Sequence, residues 1–519
     1  MLKHVAHQVK VLAHNAADYK DHYPSATIML GFFSSKSEHP LASPKEAKAI
    51  CAELMRMEAA KGLDEAAGWF ASLAGVDGFT PRQRLERLLE LVAASLAHTR
   101  RQSREHLTDT SGQRLQQQQQ WQRNFEYWQH LAEALERCRA EAVASKDQLP
   151  PILTHLLTAL GLQLRWLRLR HSQVPADLWT QLGQTYLQAV QLGAADRSVA
   201  MLGAGESNTT PTQEYLKALV FQASSLDNLK PIEIVLAERL IGHFLPRFVL
   251  STTAFPGCVY WIDANKSAPP ARLTQMPVAT PGIRYLSPGD ALADMQQLRE
   301  KIFATRQLPR EIAGVEELPA EAVLRVIDHL LQCWSAKPPL RKNARHRIAS
   351  GVYVIHGLES LPGYLLGTDT RLEGIETWVI EDVSQGGIGA KLPIKRNDWA
   401  QVGALVGFQP EGVSGWHVGI IRRFTRQSES DGSAGIETLS KLPHPLSVMD
   451  SGLKTDLIVL DALQDDSSVR VLIAPSYWEN GTVFVTLLDG RPWRLHADEK
   501  LEETGDWLIG RCIAEKIRD

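Results

Sequence analysis

Two polar clusters in the C-terminal half of the chain carry the groups that an anion and a guanine base require. Arg341 and Arg345 lie four positions apart. An arginine offers a flat fork of N–H donors that fits phosphate oxygens or the O6/N7 edge of guanine, and its plane can stack on a base. The second cluster contains Asp382 and Ser384, whose oxygens can accept the N–H groups on guanine's other edge. The two clusters together predict a binding site for a guanine-containing anion.

Glycines and further cations surround these residues. Gly386 and Gly387 follow the second cluster, and glycine adopts positive φ and lets the backbone approach a ligand closely. Lys342 and Arg347 lie beside the arginine pair and are predicted as accessory contacts together with Gly386. Arg347 also offers an alternative register for the arginine pair, and the sequence leaves that choice open.

In this order, the motifs resemble those of the PilZ family of cyclic-di-GMP receptors. The family signature is an RxxxR loop followed, after one or two strands, by [D/N]xSxxG. Arg341 and Arg345 match the first motif, and Asp382, Ser384 and Gly387 match the second. The resemblance covers about residues 340–440 and includes strand-like runs at 378–380, 402–408, 415–424 and 434–437. The segment Leu358–Glu376 departs from the family pattern and is interpreted as an inserted loop.

The resemblance implies a bacterial second-messenger receptor rather than an enzyme. Cyclic-di-GMP would be the ligand, no cofactor would be needed, and the five motif residues would bind it. The loop at 338–347 would become ordered on the ligand and relay the signal to the helices or to a protein partner. The family acts in motility, exopolysaccharide production and surface attachment, and the sequence does not choose among them. One or two ligand molecules per site also remain open.

Composition limits the classes of protein that the chain can represent. A length of 519 residues predicts several domains. Hydrophobic residues make up 44% and charged residues 22%, as in globular proteins, and a net charge of −3 argues against general nucleic-acid binding. The five cysteines are scattered singly, so neither a zinc site nor a disulfide framework is predicted. No apolar run is long enough for a membrane span, and the N-terminus does not resemble a signal peptide, which favours the cytoplasm.

Hydrophobic periodicity predicts a multidomain α+β protein. Helical spacing dominates from Ser43 to about Gln191, and a Gly/Ser/Asn linker at 203–208 marks a boundary. The period changes at Cys258–Asp263, and short strands follow the double proline at 338–339. The predicted domains are a helical interaction domain at 1–206, a small α+β domain at 207–336, a PilZ-like antiparallel β-barrel at 337–445 and a C-terminal β module at 446–519. Four strands are predicted in the last module, at 457–460, 469–473, 481–488 and 507–513.

Several other clusters have competing interpretations. His4, His7 and His14 suggest a metal but lack acidic or cysteine partners, so a helical face or loose terminus is favoured. The basic run 162–171 suits a phosphate, yet an amphipathic helix with snorkelling arginines is favoured. Asp263 and Lys266 are interpreted as a surface turn rather than a catalytic pair. The aromatic residues of the C-terminal module are interpreted as core rather than as a stacking platform: Tyr477, Trp478 and Trp493.

Three other functions compete with a receptor. The first is a scaffold whose PilZ-like barrel no longer binds nucleotide, and the intact motif set argues against it. The second is an enzyme, but the sequence has no phosphate loop, dinucleotide fingerprint, GxSxG or HExxH. The third is an oligonucleotide-binding barrel, and the acidic charge balance argues against that.

Overall fold

A computed structural model of the chain describes residues 39–108, 114–142, 147–202, 207–310, 312, 318–337, 344–368, 374–396, 399–450, 453–488 and 490–517. The predictions for His4, His7 and His14 lie outside these residues, as do those for Arg341 and Lys342. The chain divides after Glu53 into two compact units. The second unit, from Leu54 onward, contains all the described strands and all the described α-helices that follow the first one.

Helices form the first part of the chain. They are α1 (Pro44–Leu54), α2 (Ala59–Gly75), α3 (Pro81–Thr108), α4 (Arg114–Glu141), α5 (Leu149–Leu169), α6 (Ala176–Gln191), α7 (Pro211–Ala223) and α8 (Pro231–Phe244). The sequence sets their starts: the Thr210 side chain accepts a hydrogen bond from the Gln213 amide, and Pro211 occupies the first turn of α7. Helix α5 is apolar around most of its circumference and is buried against α4, α6 and α7, as a central helix should be.

A small antiparallel sheet and two more helices follow. Strands β1 (Val199–Ala200) and β2 (Asn208–Thr209) form a separate two-stranded ladder. The four-stranded sheet has the order β3-β6-β4-β5, with β3 at Val249–Ser251, β4 at Tyr260–Asp263, β5 at Ala271–Arg272 and β6 at Ile283–Ser287. Helices α9 (Ala291–Thr305) and α10 (Ala320–Trp334) complete the region.

Asp263 differs from its predicted position. Its residue is only 6% exposed, and its carboxylate accepts hydrogen bonds from the Asn265 amide and the Thr280 hydroxyl, each at 3.1 Å. The side chain of Lys266 is 67% exposed. Lys266 therefore lies on the surface, as expected, whereas Asp263 is buried because it holds together the loop that connects the strands.

Six antiparallel strands close into a first barrel. They are β7 (His346–His356), β8 (Glu376–Ser384), β9 (Gly387–Pro393), β10 (Leu405–Pro410), β11 (His417–Arg426) and β12 (Asp431–Ser440), in the order β10-β11-β12-β9-β8-β7. Ladder pairs between β10 and β7 close the ring. Trp378, Phe408 and Phe424 fill the interior, which leaves the outer face for polar side chains.

A second six-stranded barrel follows directly. Its strands are β13 (His444–Asp450), β14 (Leu453–Val459), β15 (Ser467–Ile473), β16 (Val483–Leu488), β17 (Arg491–Glu503) and β18 (Leu508–Lys516), in the order β13-β14-β15-β18-β17-β16. The sequence predicted four of these strands and missed β13 and β17. The core interpretation is confirmed for Trp478 and Trp493, which are 6% and 7% exposed, whereas Tyr477 is 37% exposed.

The two barrels share a hydrophobic cluster. The segment predicted as an inserted loop contains helix α11 (Leu361–Leu365), and its buried Leu361 lies in one cluster with Ile458 and Trp507 of the second barrel. The Trp507 indole donates a hydrogen bond to the Gly403 carbonyl at 3.1 Å. Part of the departure from the PilZ pattern therefore packs one barrel against the other.

The predicted fold class is confirmed: a helical region, small sheets and an antiparallel barrel occur in the predicted order. The C-terminal β module is a barrel of its own. The boundaries of the four predicted domains stay predictions. Among the described residues, no helix is long and apolar enough to cross a membrane.

Candidate ligand-binding site on the first barrel

A β-bulge in β8 decides which side chains reach the outside of the first barrel. Trp378 and Ile380 point into the core, so strict alternation would turn Asp382 inward as well. The register with β9 shifts between Ile380 and Asp382, which makes Glu381 an extra residue on β8. The extra residue reverses the alternation, and Val383 then packs against the core. Asp382 and the Ser384 that follows two positions later therefore lie on the outer face.

Arg345 meets Asp382 on this outer face. One terminal guanidinium nitrogen of Arg345 lies 3.0 Å from both carboxylate oxygens of Asp382. The two side chains are 36% and 26% exposed. The second residue of the RxxxR motif and the first residue of the DxSxxG motif are thus in direct contact, although 37 positions separate them.

Ser384 and Gly387 form the turn between β8 and β9. The Ser384 hydroxyl donates a hydrogen bond to the Gly387 carbonyl at 3.2 Å, which leaves its oxygen lone pairs as acceptors. Neither Gly386 nor Gly387 has positive φ, so the conformational freedom that glycine permits is not used here. Gly387 is required for space instead, because a Cβ there would lie 2.0 Å from the Ile436 carbonyl oxygen of β12. The Gly386 carbonyl accepts a hydrogen bond from the Thr438 amide at 2.9 Å.

The ladder registers place five residues in one row across the outer face of the barrel. From β7 to β11 the row consists of Arg347, Asp382, Gly389, Gly435 and Arg423. Directly opposed residues of antiparallel strands share a face, so the two central glycines form a strip without side chains, here called the glycine floor. The Asp382 carboxylate leans over Gly389, since a Cβ there would lie 3.0 Å from Oδ1. The row has a cation at each end, and a flat group would lie on the floor only after the Asp382 carboxylate moves off Gly389.

The sequence did not predict the glycine floor or Arg423. Gly387 and Gly389 are two positions apart, and in a strand this spacing puts both on one face, which was the available signal for Gly389. Gly435 and Arg423 carry no such signal, because only the ladder register between three distant strands brings them into the row. Arg347 joins the same face as the cross-strand partner of Asp382. Arg341 and Lys342 lie outside the described residues.

The far end of the row touches the helical region. The Arg423 guanidinium lies 3.8 Å from the carboxylate of Asp227, in the turn between α7 and α8. Arg170 makes a two-pronged ion pair with Glu429 at 2.9 and 3.0 Å. The Arg426 amide donates to the His171 carbonyl at 2.8 Å. These contacts define what we call the junction: the end of α5 with residues 170–173, the 224–230 turn, and the hairpin that connects β11 with β12.

Helix α5 therefore ends in the junction rather than on a free surface. The predicted amphipathic run 162–171 is helical as far as Leu169. Two of its three arginines bind acidic partners within the protein: Arg165 pairs with Glu238 at 2.6 Å, and Arg170 pairs with Glu429. Burial lowers the pKa of the His171 imidazole to about 4, and the positive Arg168 adds to this effect. The imidazole is held at 2.8 Å from the Leu229 carbonyl.

The fold is a helical region in contact with a barrel that carries arginines, a carboxylate, a hydroxyl and two glycines on one outer face. Residues 45–254 match the family model described as "Cyclic-di-GMP receptor FimW, N-terminal domain". The match agrees with the resemblance to cyclic-di-GMP receptors that the motifs at 341–387 indicated, and it lies in a different part of the chain. The family is one of receptors, not of enzymes.

Two other comparisons add little. No curated protein matches the chain. Among solved structures, one match is the crystal structure of the Borreliella burgdorferi PlzA protein in complex with c-di-GMP, at 6% identity, covering 33% of this chain and 87% of the other. Its TM-score of 0.13 is too low to support a conclusion about fold or site.

Proposed function

We propose that this protein is a non-enzymatic cyclic-di-GMP receptor that binds its ligand on the outer face of the first barrel. The observation that carries the proposal is the contact between Arg345 and Asp382 beside the glycine floor. The two motifs that the PilZ resemblance singles out meet on one surface that is open to solvent. The family match at residues 45–254 supports the same ligand from the helical region.

Each motif residue has a role that its chemistry permits. Arg345, with Arg341, would bind a phosphate or the O6/N7 edge of guanine through charge-assisted hydrogen bonds. Asp382 and Ser384 would accept the N–H groups of guanine, and adenine would leave those acceptors unmatched at about 1–3 kcal/mol per group. Arg347 would be an accessory phosphate contact, because it shares the outer face with Asp382.

The pair between Arg345 and Asp382 would have to open or be shared when the ligand binds. Partly exposed ion pairs contribute only about 0–1 kcal/mol, so the exchange for ligand contacts costs little. Asp382 is already oriented by this pair over the glycine floor. The pair therefore holds the carboxylate in place until a guanine replaces the guanidinium.

The helical region would receive the signal. The row that begins at Arg347 ends at Arg423, which contacts Asp227 of the junction. A ligand that engages the row would change the charge beside Asp227, and the loop at 338–347 would become ordered at the other end of the row. A protein partner that binds the helices, and a cytoplasmic location, complete the proposal.

Calorimetric titration with cyclic-di-GMP tests this function. We expect guanine-selective binding, weakened about 10-fold to 100-fold by Arg345→Ala or Asp382→Ala, because each removes one two-pronged contact. Arg511→Ala is the matched control, since Arg511 forms a similarly exposed pair with Glu499 on the second barrel at 2.9 Å. Absence of binding by the folded protein, or equal losses for all three variants, would overturn the proposal.

A further inference from the structure

A polar pocket of about 260 Å³ lies at the junction, beyond the Arg423 end of the row. Arg168 and Gln173 line it from the last turn of α5 and the residues after it, Gln222 from the end of α7, Asp227 from the turn after α7, and Thr425 from β11. Thr425 shares the outward side of β11 with Arg423, two positions earlier. The pocket therefore continues the outer face of the barrel into the helical region, and none of the predicted site residues belongs to it.

The lining groups have unused hydrogen-bonding capacity. The Oε1 atom of Gln222 is buried without a hydrogen-bond partner, which costs about 1–3 kcal/mol unless a ligand or water fills that role. Arg168 donates one hydrogen bond at 3.3 Å, to the Ser172 carbonyl, among the contacts that the structure describes. Burial lowers the pKa of its guanidinium.

Arg168 and Asp227 face the same pocket but remain apart. Asp227 interacts electrostatically with Arg168, yet within the described chain its one ion pair closer than 4.0 Å is with Arg423. A guanidinium and a carboxylate separated by a gap suit a ligand with acceptors on one edge and donors on the next. Guanine has this arrangement, with O6 and N7 as acceptors and N1–H and N2–H as donors.

The size of the pocket limits the ligand further. Pockets for drug-sized molecules usually measure about 300–1,000 Å³, so about 260 Å³ suits one base-sized group rather than a whole dinucleotide. Arg168, Arg423 and Asp227 together give this end of the pocket a net positive charge. This charge favours a base that carries a phosphate.

We infer that the junction pocket binds a guanine base, with Arg168 on the acceptor edge and Asp227 on the donor edge. Gln222 would accept a further N–H group. The base has two sources: the second guanine of a cyclic-di-GMP molecule that lies across the glycine floor, or a separate guanine mononucleotide. The first source rests on the proposed function, whereas the second does not. With the first source, one ligand molecule joins the barrel to the helical region.

Titrations of the full-length protein with cyclic-di-GMP, GMP and AMP test the inference. Asp227→Asn keeps the shape of the side chain and removes its charge, and Gln222→Leu removes the unpartnered amide. We expect each variant to weaken binding of a guanine nucleotide about 10-fold or more, with AMP not bound. Glu429→Gln is the matched control, because it breaks the pair with Arg170 at the same junction but outside the pocket.

The pattern of losses separates the two sources and the two proposals. If the base belongs to the dinucleotide, Asp227→Asn and Arg345→Ala both weaken cyclic-di-GMP binding. If it is a mononucleotide, GMP binding is sensitive to Asp227→Asn and insensitive to Arg345→Ala. If Arg345→Ala alone weakens cyclic-di-GMP binding, and GMP either does not bind or binds equally well to Asp227→Asn, the proposed function stands and the pocket inference fails. Equal effects of Asp227→Asn and Glu429→Gln also overturn the inference, since they would report a loosened junction.

Discussion

At the scale of single residues, Gly387 is required by a contact rather than by its backbone angle. A Cβ at this position would lie 2.0 Å from the Ile436 carbonyl oxygen, a backbone atom that cannot rotate away. We therefore expect Gly387→Ala to lower the free energy of unfolding by about 1–3 kcal/mol, the usual range for overpacking. Urea denaturation of the purified protein measures the change.

Gly435→Ala is the matched control for this substitution. Gly435 also lies on the outer face, but its added Cβ would be 3.5 Å from the Arg423 side chain, an ordinary contact. Alanine there should leave the free energy of unfolding within about 0.5 kcal/mol of the wild-type value. Similar losses for both variants would show that a side chain at either glycine of the outer face destabilises the barrel. The argument from the Ile436 carbonyl would then be wrong.

The sequence predicted the identity of the motif residues better than the reasons for them. Arg345, Asp382, Ser384 and Gly387 carry side-chain chemistry that can be read without a structure, and the structure brings them together on one surface. The sequence alone, however, does not show whether a glycine is required for a positive φ or because a neighbouring atom leaves no space for a Cβ. That distinction depends on the neighbouring strand β12, whose register with β9 is a tertiary property.

At the scale of elements, the bulge in β8 places Asp382 and Ser384 on the outer face of the barrel, where the candidate site lies. The sequence alternates apolar and polar residues through Trp378 and Ile380, which predicted a strand but would have buried Asp382. The extra residue Glu381 is visible only from the ladder with β9. Strand β17 was missed although its inward Trp493, Leu495 and Ala497 alternate with polar residues, because its second half, 498–503, consists almost entirely of charged residues.

The bulge predicts unequal effects for two valines on β8. Val383 packs against the core because the alternation is reversed, whereas Val379 is 51% exposed. Val383→Ala should lower the free energy of unfolding by about 1–2 kcal/mol, and Val379→Ala should change it by less than about 0.5 kcal/mol. Thermal and urea denaturation of both variants provide the comparison. Equal small effects would mean that β8 alternates strictly and that Asp382 does not reach the outer face through the bulge.

At the scale of the whole molecule, the helical region and the barrels are coupled by contacts between distant parts of the sequence. Arg170 and Glu429 are 259 positions apart, and no local pattern indicates that they meet. The basic end of α5 was correctly interpreted as an amphipathic helix, but its acidic partner on the barrel hairpin could not be inferred. The junction is therefore the part of the candidate signalling path that required a structure.

Buried His171 makes the stability of this junction depend on pH. The folded-state pKa of about 4 lies below the usual value of 6.5, because burial and Arg168 disfavour the imidazolium more than Asp227 and the Leu229 carbonyl favour it. The unfolded chain thus binds the proton more readily between these values. The stability that neutral His171 contributes is complete above about pH 6.5 and is lost as the pH falls towards 4.

We expect His171→Asn to reduce this loss, since asparagine does not titrate and tolerates the positive φ of 55° at this position. A shift from 6.5 to about 4 corresponds to at most about 3.5 kcal/mol, at about 1.4 kcal/mol per pKa unit. Urea denaturation at about pH 7 and at about pH 5 should show a smaller difference between the two conditions for the variant than for the wild type.

His155→Asn is the control, because His155 is buried in α5 with a similarly lowered pKa of about 4 but lies away from the junction. Both variants should flatten the pH profile of stability, and an effect of His155→Asn alone would place the titrating group inside the helical region rather than at the junction. An unchanged stability profile for His171→Asn would show that the imidazole is not held neutral by the packing of the helical region on the barrel.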